Sequence, residues 1–145
     1  MPIYKRRKRQ AEIRVRDVMT SPPVLISARS TIDAAGRLMW EKKVGSVLVV
    51  NKAGGLMGIV TERDILFAVA RSFTRERVAV SGIMSRNVKT AYPDESIIDA
   101  IDRMRQANVR HLPVMDEKGR PVGMLSIRDL LDIGATLVNV LMQSE

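Results

Sequence analysis

Two short stretches of this chain carry the residue types that could do chemistry. They are Gly58-Ile59-Val60-Thr61-Glu62-Arg63-Asp64 and Gly123-Met124-Leu125-Ser126-Ile127-Arg128-Asp129. In each, an apolar strand-like run ends at a hydroxyl residue, and an aspartate follows three positions later. The ordinary reading is a capping box at a helix start. The same geometry also makes a ligand seat. A hydroxyl and free backbone N–H groups at a helix N-terminus suit phosphate. An aspartate one turn further on can accept hydrogen bonds from a ribose diol. Other chemistries are poorly supplied. The chain has one histidine, His111, and no cysteine. That leaves no thiol nucleophile and no thiolate metal site, and a lone histidine does not build a metal centre. With no paired-carboxylate signature and no Gly-rich P-loop, the chain reads as a non-enzyme.

These two stretches must be positioned by equivalent elements, because the chain repeats itself. Val15–Leu66 aligns without a gap onto Val80–Leu131 at a constant offset of 65 residues. Identical pairs include Val15/Val80, Met19/Met84, Ile32/Ile97, Ala35/Ala100, Met39/Met104 and Val44/Val109. Val49/Val114, Gly54/Gly119, Gly58/Gly123, Arg63/Arg128, Asp64/Asp129 and Leu66/Leu131 continue the series. Each copy opens with a short turn (Val15–Met19; Val80–Met84) and a brief extended stretch (Val24–Ile26; Val88–Ala91). An amphipathic helix follows, with Ile32, Ala35, Leu38 and Met39 in one copy and Ile97, Ala100, Ile101 and Met104 in the other at helical spacing. Thr31 and Ser96 are its predicted caps, with Asp33 and Asp99 suited to the positive end of its dipole. A buried strand (Val47–Val50; Leu112–Met115), a glycine turn, a returning strand (Leu56–Val60; Pro121–Leu125) and a second helix complete the unit. The last helix is predicted to run to about Met142, with apolar residues on more than one face. Trp40 reads as a helix-face or dimer contact rather than a base-stacking residue. The predicted fold is α/β in the broad sense, α+β in the narrower one: two βαββα units sharing a core. The expected boundaries are a basic arm over 1–12, a first unit over 13–78 and a second over 79–145.

Composition narrows the setting. Five of the eight net positive charges fall in Lys5–Arg9, so the remainder is only mildly basic. Such a run reads first as a solvated arm and second as a phosphate-binding arm for nucleic acid. No stretch approaches 18 uninterrupted apolar residues, and no apolar segment follows the basic run. Neither a membrane span nor a secretory leader is expected, which predicts a cytoplasmic location.

The gapless duplication, the Val-Met-(Thr/Ser) opening and the Gly-x-x-(Thr/Ser)-x-x-Asp ending resemble a tandem pair of cystathionine-β-synthase (CBS) domains, a Bateman module, across residues 13–142. The resemblance implies two units related by a pseudo-twofold axis, with two clefts that bind AMP, ADP, ATP or S-adenosyl compounds. It gives the ribose contact to Asp64 and Asp129, and ribose or phosphate contacts to Thr61 and Ser126. It also implies a base pocket built crosswise. Pro22, Val24, Val44 and Met124 would close the Asp129 cleft; Asn87, Lys89, Val109 and Ile59 would close the Asp64 cleft. The copies diverge where Val109-Arg110-His111-Leu112 stands against Val44-Gly45-Ser46-Val47. By resemblance Arg110 and His111 become the expected phosphate ligands, followed by Arg63 and Arg128, while Gly45 leaves room without charge. The expected ligand is AMP, with ADP, ATP or S-adenosylmethionine as alternatives, held most tightly in the Asp129 cleft. The expected partners are a second copy of the chain, packed through the domain helices, and a protein that receives the signal. The competing expectation is a nucleic-acid-binding protein that uses the arm.

Overall fold

The long helix of each unit is set by local chemistry that recurs at the same phase. The computed structural model describes residues 12–74 and 76–144. In it, α2 (Ile32–Lys42) starts where Thr31 Oγ1 accepts a hydrogen bond from Ala34 N–H at 3.1 Å, and α4 (Ile97–Ala107) where Ser96 Oγ accepts from Ile98 N–H at 3.3 Å. Each ends at a residue in the left-handed region, Lys43 at φ 55° and Asn108 at φ 52°. Their buried residues are Ile32, Ala35 and Met39, and Ile97, Ala100 and Met104, the spacing predicted for one apolar stripe.

Around them run α1 (Val15–Val18), β1 (Leu25–Ser27), β2 (Ser46–Val50), β3 (Leu56–Thr61) and α3 (Glu62–Ala70) in the first copy. The second has a 3-10 turn at Val80–Gly82, then β4 (His111–Met115), β5 (Pro121–Ser126) and α5 (Ile127–Gln143). β1 pairs parallel with β2, which pairs antiparallel with β3; β4 and β5 pair antiparallel. The hairpin glycines take positive φ, 85° at Gly54 and 75° at Gly119, where a side chain would be strained.

The expected strand at Val88–Ala91 shrinks to one parallel bridge between Ala91 and Val114. Ala91 N–H donates to Pro113 O at 2.9 Å and Ala91 O accepts from Met115 N–H at 2.8 Å. Pairing does not reach back toward Val88 because Pro113, at the position of Leu48 in β2, has no N–H to donate to Lys89 O as Leu48 N–H donates to Val24 O. β1 likewise begins one residue later than expected, although Val24 O still accepts from Leu48 N–H.

The opening segments are exchanged between the copies. Val15 and Val18 are buried with Ala91, Ile97, Ala100, Met104, Leu112, Val114 and Leu125, all of the second copy. Val80 and Met84 are buried with Ala35, Met39, Val47, Val49 and Val60 of the first. Burying a valine such as Val15 completely contributes about 1.5–3 kcal/mol, so each core depends on the other copy's opening. Thr20 pairs with Met124, and Ser85 with Ile59, at equivalent positions. The crossing needs glycine. A Cβ on Gly123 would stand 2.7 Å from Met19 Sδ and 3.0 Å from Thr20 O; on Gly58 it would stand 2.7 Å from both Met84 Sδ and Ser85 O. Trp40 is 86% exposed. α5 buries no residue, and Leu131, Leu137, Val138, Leu141 and Met142 are all more than half exposed.

Candidate functional site

Both helix starts that follow the returning strands are capped as the residue types require. Thr61 N–H and Thr61 Oγ1 donate to Asp64 Oδ2 at 2.8 and 3.2 Å. Ser126 N–H donates to Asp129 Oδ2 at 3.0 Å, and Asp129 N–H donates to Ser126 Oγ at 3.1 Å. One carboxylate oxygen of each aspartate is thus engaged in a capping box. The other oxygen differs between copies. Asp129 Oδ1 accepts from Thr20 Oγ1 at 3.2 Å, a side chain on the exchanged opening segment. Among the described residues nothing reaches Asp64 Oδ1 in the same way, since Ser85 meets β3 only through its backbone, at Ile59.

At the aspartates, the exchange brings Thr20 of the first copy to Asp129 of the second. Beyond Thr20, Pro22 is exposed, while Val24 and Val44 are half-buried and pack against the core of the first copy. Met124 is half-buried and hydrogen-bonded through its backbone to Thr20. On the other side Asn87, Lys89 and Val109 are exposed, and Ile59 is buried with its N–H and C=O both engaged by Ser85. A cavity of about 400 Å³ opens between the copies, lined by Met57, Arg86, Val88, Thr90, Met115 and Asp116 among others. Asn87 and Lys89 alternate with its lining residues and do not themselves line it. It lies at the β3 end remote from Thr61, and neither Asp64 nor Asp129 touches it.

His111 and Gly45 meet near the two helix starts. His111 opens β4, where it pairs in register with Ser126. Arg110 O accepts from Ile127 N–H at 3.0 Å, and Gly45 O accepts from Glu62 N–H at 3.1 Å, so each strand entry is tied to its own copy's helix. The imidazole nevertheless crosses to the first copy. A Cβ on Gly45 would stand 3.5 Å from His111 Nε2 and 3.7 Å from the carboxyl carbon of Glu62. The room left by Gly45 is thus bordered at contact distance by a histidine from one copy and a glutamate from the other, and His111 is shared between the two helix starts. Burial holds the His111 imidazole below its ordinary value of 6.5, the Glu62 and Asp129 carboxylates pull it back up, and Arg110 lowers it further.

Sequence reasoning missed Glu62. It occupies the position after Thr61, aligned with Ile127, and the missing side chain at Gly45 was the one signal toward it. Arg63, Arg110 and Arg128 are exposed, and among the described residues none is paired with a carboxylate. No group of three His, Asp or Glu side chains among the described residues is placed to hold a metal ion. No helix among them is long and apolar enough to cross a membrane. Lys5–Arg9, on which the nucleic-acid expectation rests, lies outside the described residues.

Comparison with known proteins agrees with this architecture. Over 116 residues the chain is 40% identical to a homoserine O-acetyltransferase of Methanococcoides burtonii, covering 80% of this chain and 23% of that protein. The chain thus spans about a quarter of that enzyme's length. A CBS domain protein of Pyrobaculum aerophilum complexed with AMP superposes with a TM-score of 0.78 at 29% identity, covering 90% of this chain and 99% of that one. A CBS domain pair in complex with 5′-methylthioadenosine and S-adenosyl-L-methionine superposes with a TM-score of 0.79 at 27% identity, covering 86% and 98%. The family model of the CBS domain matches twice, over residues 15–71 and 80–135. With the duplicated unit, the exchanged openings and both matches in place, the chain belongs to the CBS domain family and carries the domain as a tandem pair.

Proposed function

We propose that this CBS pair is a regulatory, non-catalytic module of the cytoplasm that binds an adenine nucleotide between its two units. Its occupancy acts on a partner protein or on its own oligomeric state. The observation that carries this reading is the hydrogen bond from Thr20 Oγ1 of one unit to Asp129 Oδ1 of the other. A ligand that takes the Asp129 carboxylate for its ribose competes with a contact that joins the units, so binding and inter-unit geometry are linked. Two structural neighbours support the ligand class, one complexed with AMP and the other with 5′-methylthioadenosine and S-adenosyl-L-methionine. Adenosine is common to all three.

In this reading Asp129 and Asp64 hold ribose, and Ser126 and Thr61 assist them. Arg110, His111, Arg63 and Arg128 face phosphate. Pro22, Val24, Val44 and Met124 enclose the base on the Asp129 side; Asn87, Lys89, Val109 and Ile59 do so on the other. AMP is the ligand and the Asp129 cleft its primary seat. A second copy covers the exposed apolar faces of α3 and α5, which Leu66, Val69, Leu131 and Leu141 leave open to solvent.

A thermal-shift panel of adenosine, AMP, ADP, ATP and S-adenosylmethionine tests the reading. At a hundredfold excess over its dissociation constant a ligand stabilises the fold by about 2.7 kcal/mol. Asp129→Asn is expected to cost about 1 kcal/mol as a weakened cap and to remove most of the AMP-induced shift. An unchanged shift would leave Asp129 as a cap alone. No shift with any of the five would end the reading.

A further inference from the structure

We propose that Glu62 limits the anionic charge the site accepts, so that adenosine ligands with at most one phosphate bind in preference to di- and triphosphates. This rests on the adenine-nucleotide reading above and adds to it a determinant carried by this chain's own residues. Glu62 is the first residue of α3, and its carboxyl carbon lies 3.7 Å from the point where a Gly45 Cβ would stand. His111 Nε2 lies 3.5 Å from the same point. The carboxylate therefore occupies the ground next to the imidazole that would receive phosphate, between the helix starts carrying Asp64 and Asp129.

Two carboxylates, Glu62 and Asp129, and one guanidinium group, Arg110, act on His111. Burial, seconded by Arg110, disfavours the charged form of His111 against the pull of Glu62 and Asp129. Each further anionic group that a ligand brings to this point meets the Glu62 carboxylate. Among the described residues Glu62 has no cationic partner that would mask it. The equivalent position in the other copy is Ile127, so the exclusion is one-sided and belongs to the Glu62 face. Repulsion of an unwanted ligand by a fixed like charge is a standard route to specificity.

The test measures adenosine, AMP and ATP binding by calorimetry in magnesium-free buffer, for the wild-type chain, Glu62→Gln and Glu62→Asp. In the wild type AMP is expected to bind at least tenfold more tightly than ATP. Glu62→Gln is expected to tighten ATP about tenfold, equivalent to ~1.4 kcal/mol, to leave adenosine unchanged and to change AMP less than ATP. Glu62→Asp keeps the charge and should restore the preference for AMP. Equal ATP-to-AMP ratios in wild type and Glu62→Gln would overturn the inference while adenosine and AMP binding leaves the broader reading intact. A wild-type chain that binds neither adenosine nor AMP would overturn both.

Discussion

Replacing Gly123 by alanine puts one methyl group where the exchanged opening segment crosses β5. The added Cβ would lie 2.7 Å from Met19 Sδ, 3.0 Å from Thr20 O and 3.2 Å from Met19 Cγ. The thioether can swing aside, but Thr20 O is backbone. It is held by Met124 N–H at 2.9 Å, with the reciprocal bond from Thr20 N–H to Met124 O also at 2.9 Å. Relief therefore requires the segment to withdraw. Overpacking of this kind costs about 1–3 kcal/mol, and weakening two backbone hydrogen bonds adds about 0.5–1.5 kcal/mol each if they are lost. The expected total is about 2–6 kcal/mol, read as a lower urea midpoint with little change in slope. Withdrawal also moves the Thr20 hydroxyl from Asp129, so AMP affinity should change along with stability. Gly119→Ala is the control: its φ is 75°, but nothing lies within 4 Å of the added Cβ. It should cost about 1 kcal/mol through the left-handed backbone and leave AMP binding alone. A Gly123→Ala chain within about 0.5 kcal/mol of wild type, the range of an ordinary surface change, would refute the tight crossing.

The symmetric change, Gly58→Ala, meets Ser85 O and Met84 Sδ at 2.7 Å each and should destabilise at least as much, with its ligand effect confined to the Asp64 side. His111 is the single histidine, so its imidazole proton resonances assign themselves in an NMR titration. It should titrate below 6.5, lower still in Glu62→Gln, and higher when AMP is bound. Because folding lowers this pKa, the unfolded chain takes up the proton first as pH falls. Stability should then drop as pH falls from 6.5 through the folded value, and His111→Asn should remove that slope. Leu141 is 70% exposed on α5, so Leu141→Asp should leave monomer stability within about 0.5 kcal/mol while shifting sedimentation from dimer to monomer. A variant that still sediments as the wild type does would place the contact elsewhere.

Much of the fold was legible because it is local and repeated. Thr31 and Ser96 cap their helices, Gly54 and Gly119 turn their hairpins, and the stripes Ile32-Ala35-Met39 and Ile97-Ala100-Met104 are buried as their spacing required. The capping geometry of Thr61 with Asp64 and of Ser126 with Asp129 was equally readable from type and spacing. The truncated pairing at Ala91 was less so, because it turns on where Pro113, with no N–H to give, falls in register against the incoming segment.

Contacts between residues distant in sequence were decided only by the tertiary structure. That Val15 completes the second core and Val80 the first, and that Gly58 and Gly123 are glycine because a foreign segment crosses them, requires knowing which copy each opening joins. The same holds for Thr20 reaching Asp129, 109 positions away. Aligning the copies exposed the contrast of Gly45-Ser46 with Arg110-His111. The alignment could not show that His111 from the opposite copy and Glu62 both border the space at Gly45. Sequence periodicity reports which face of an element is apolar. It carries no information about which charged side chains are brought together when two equivalent units exchange their ends.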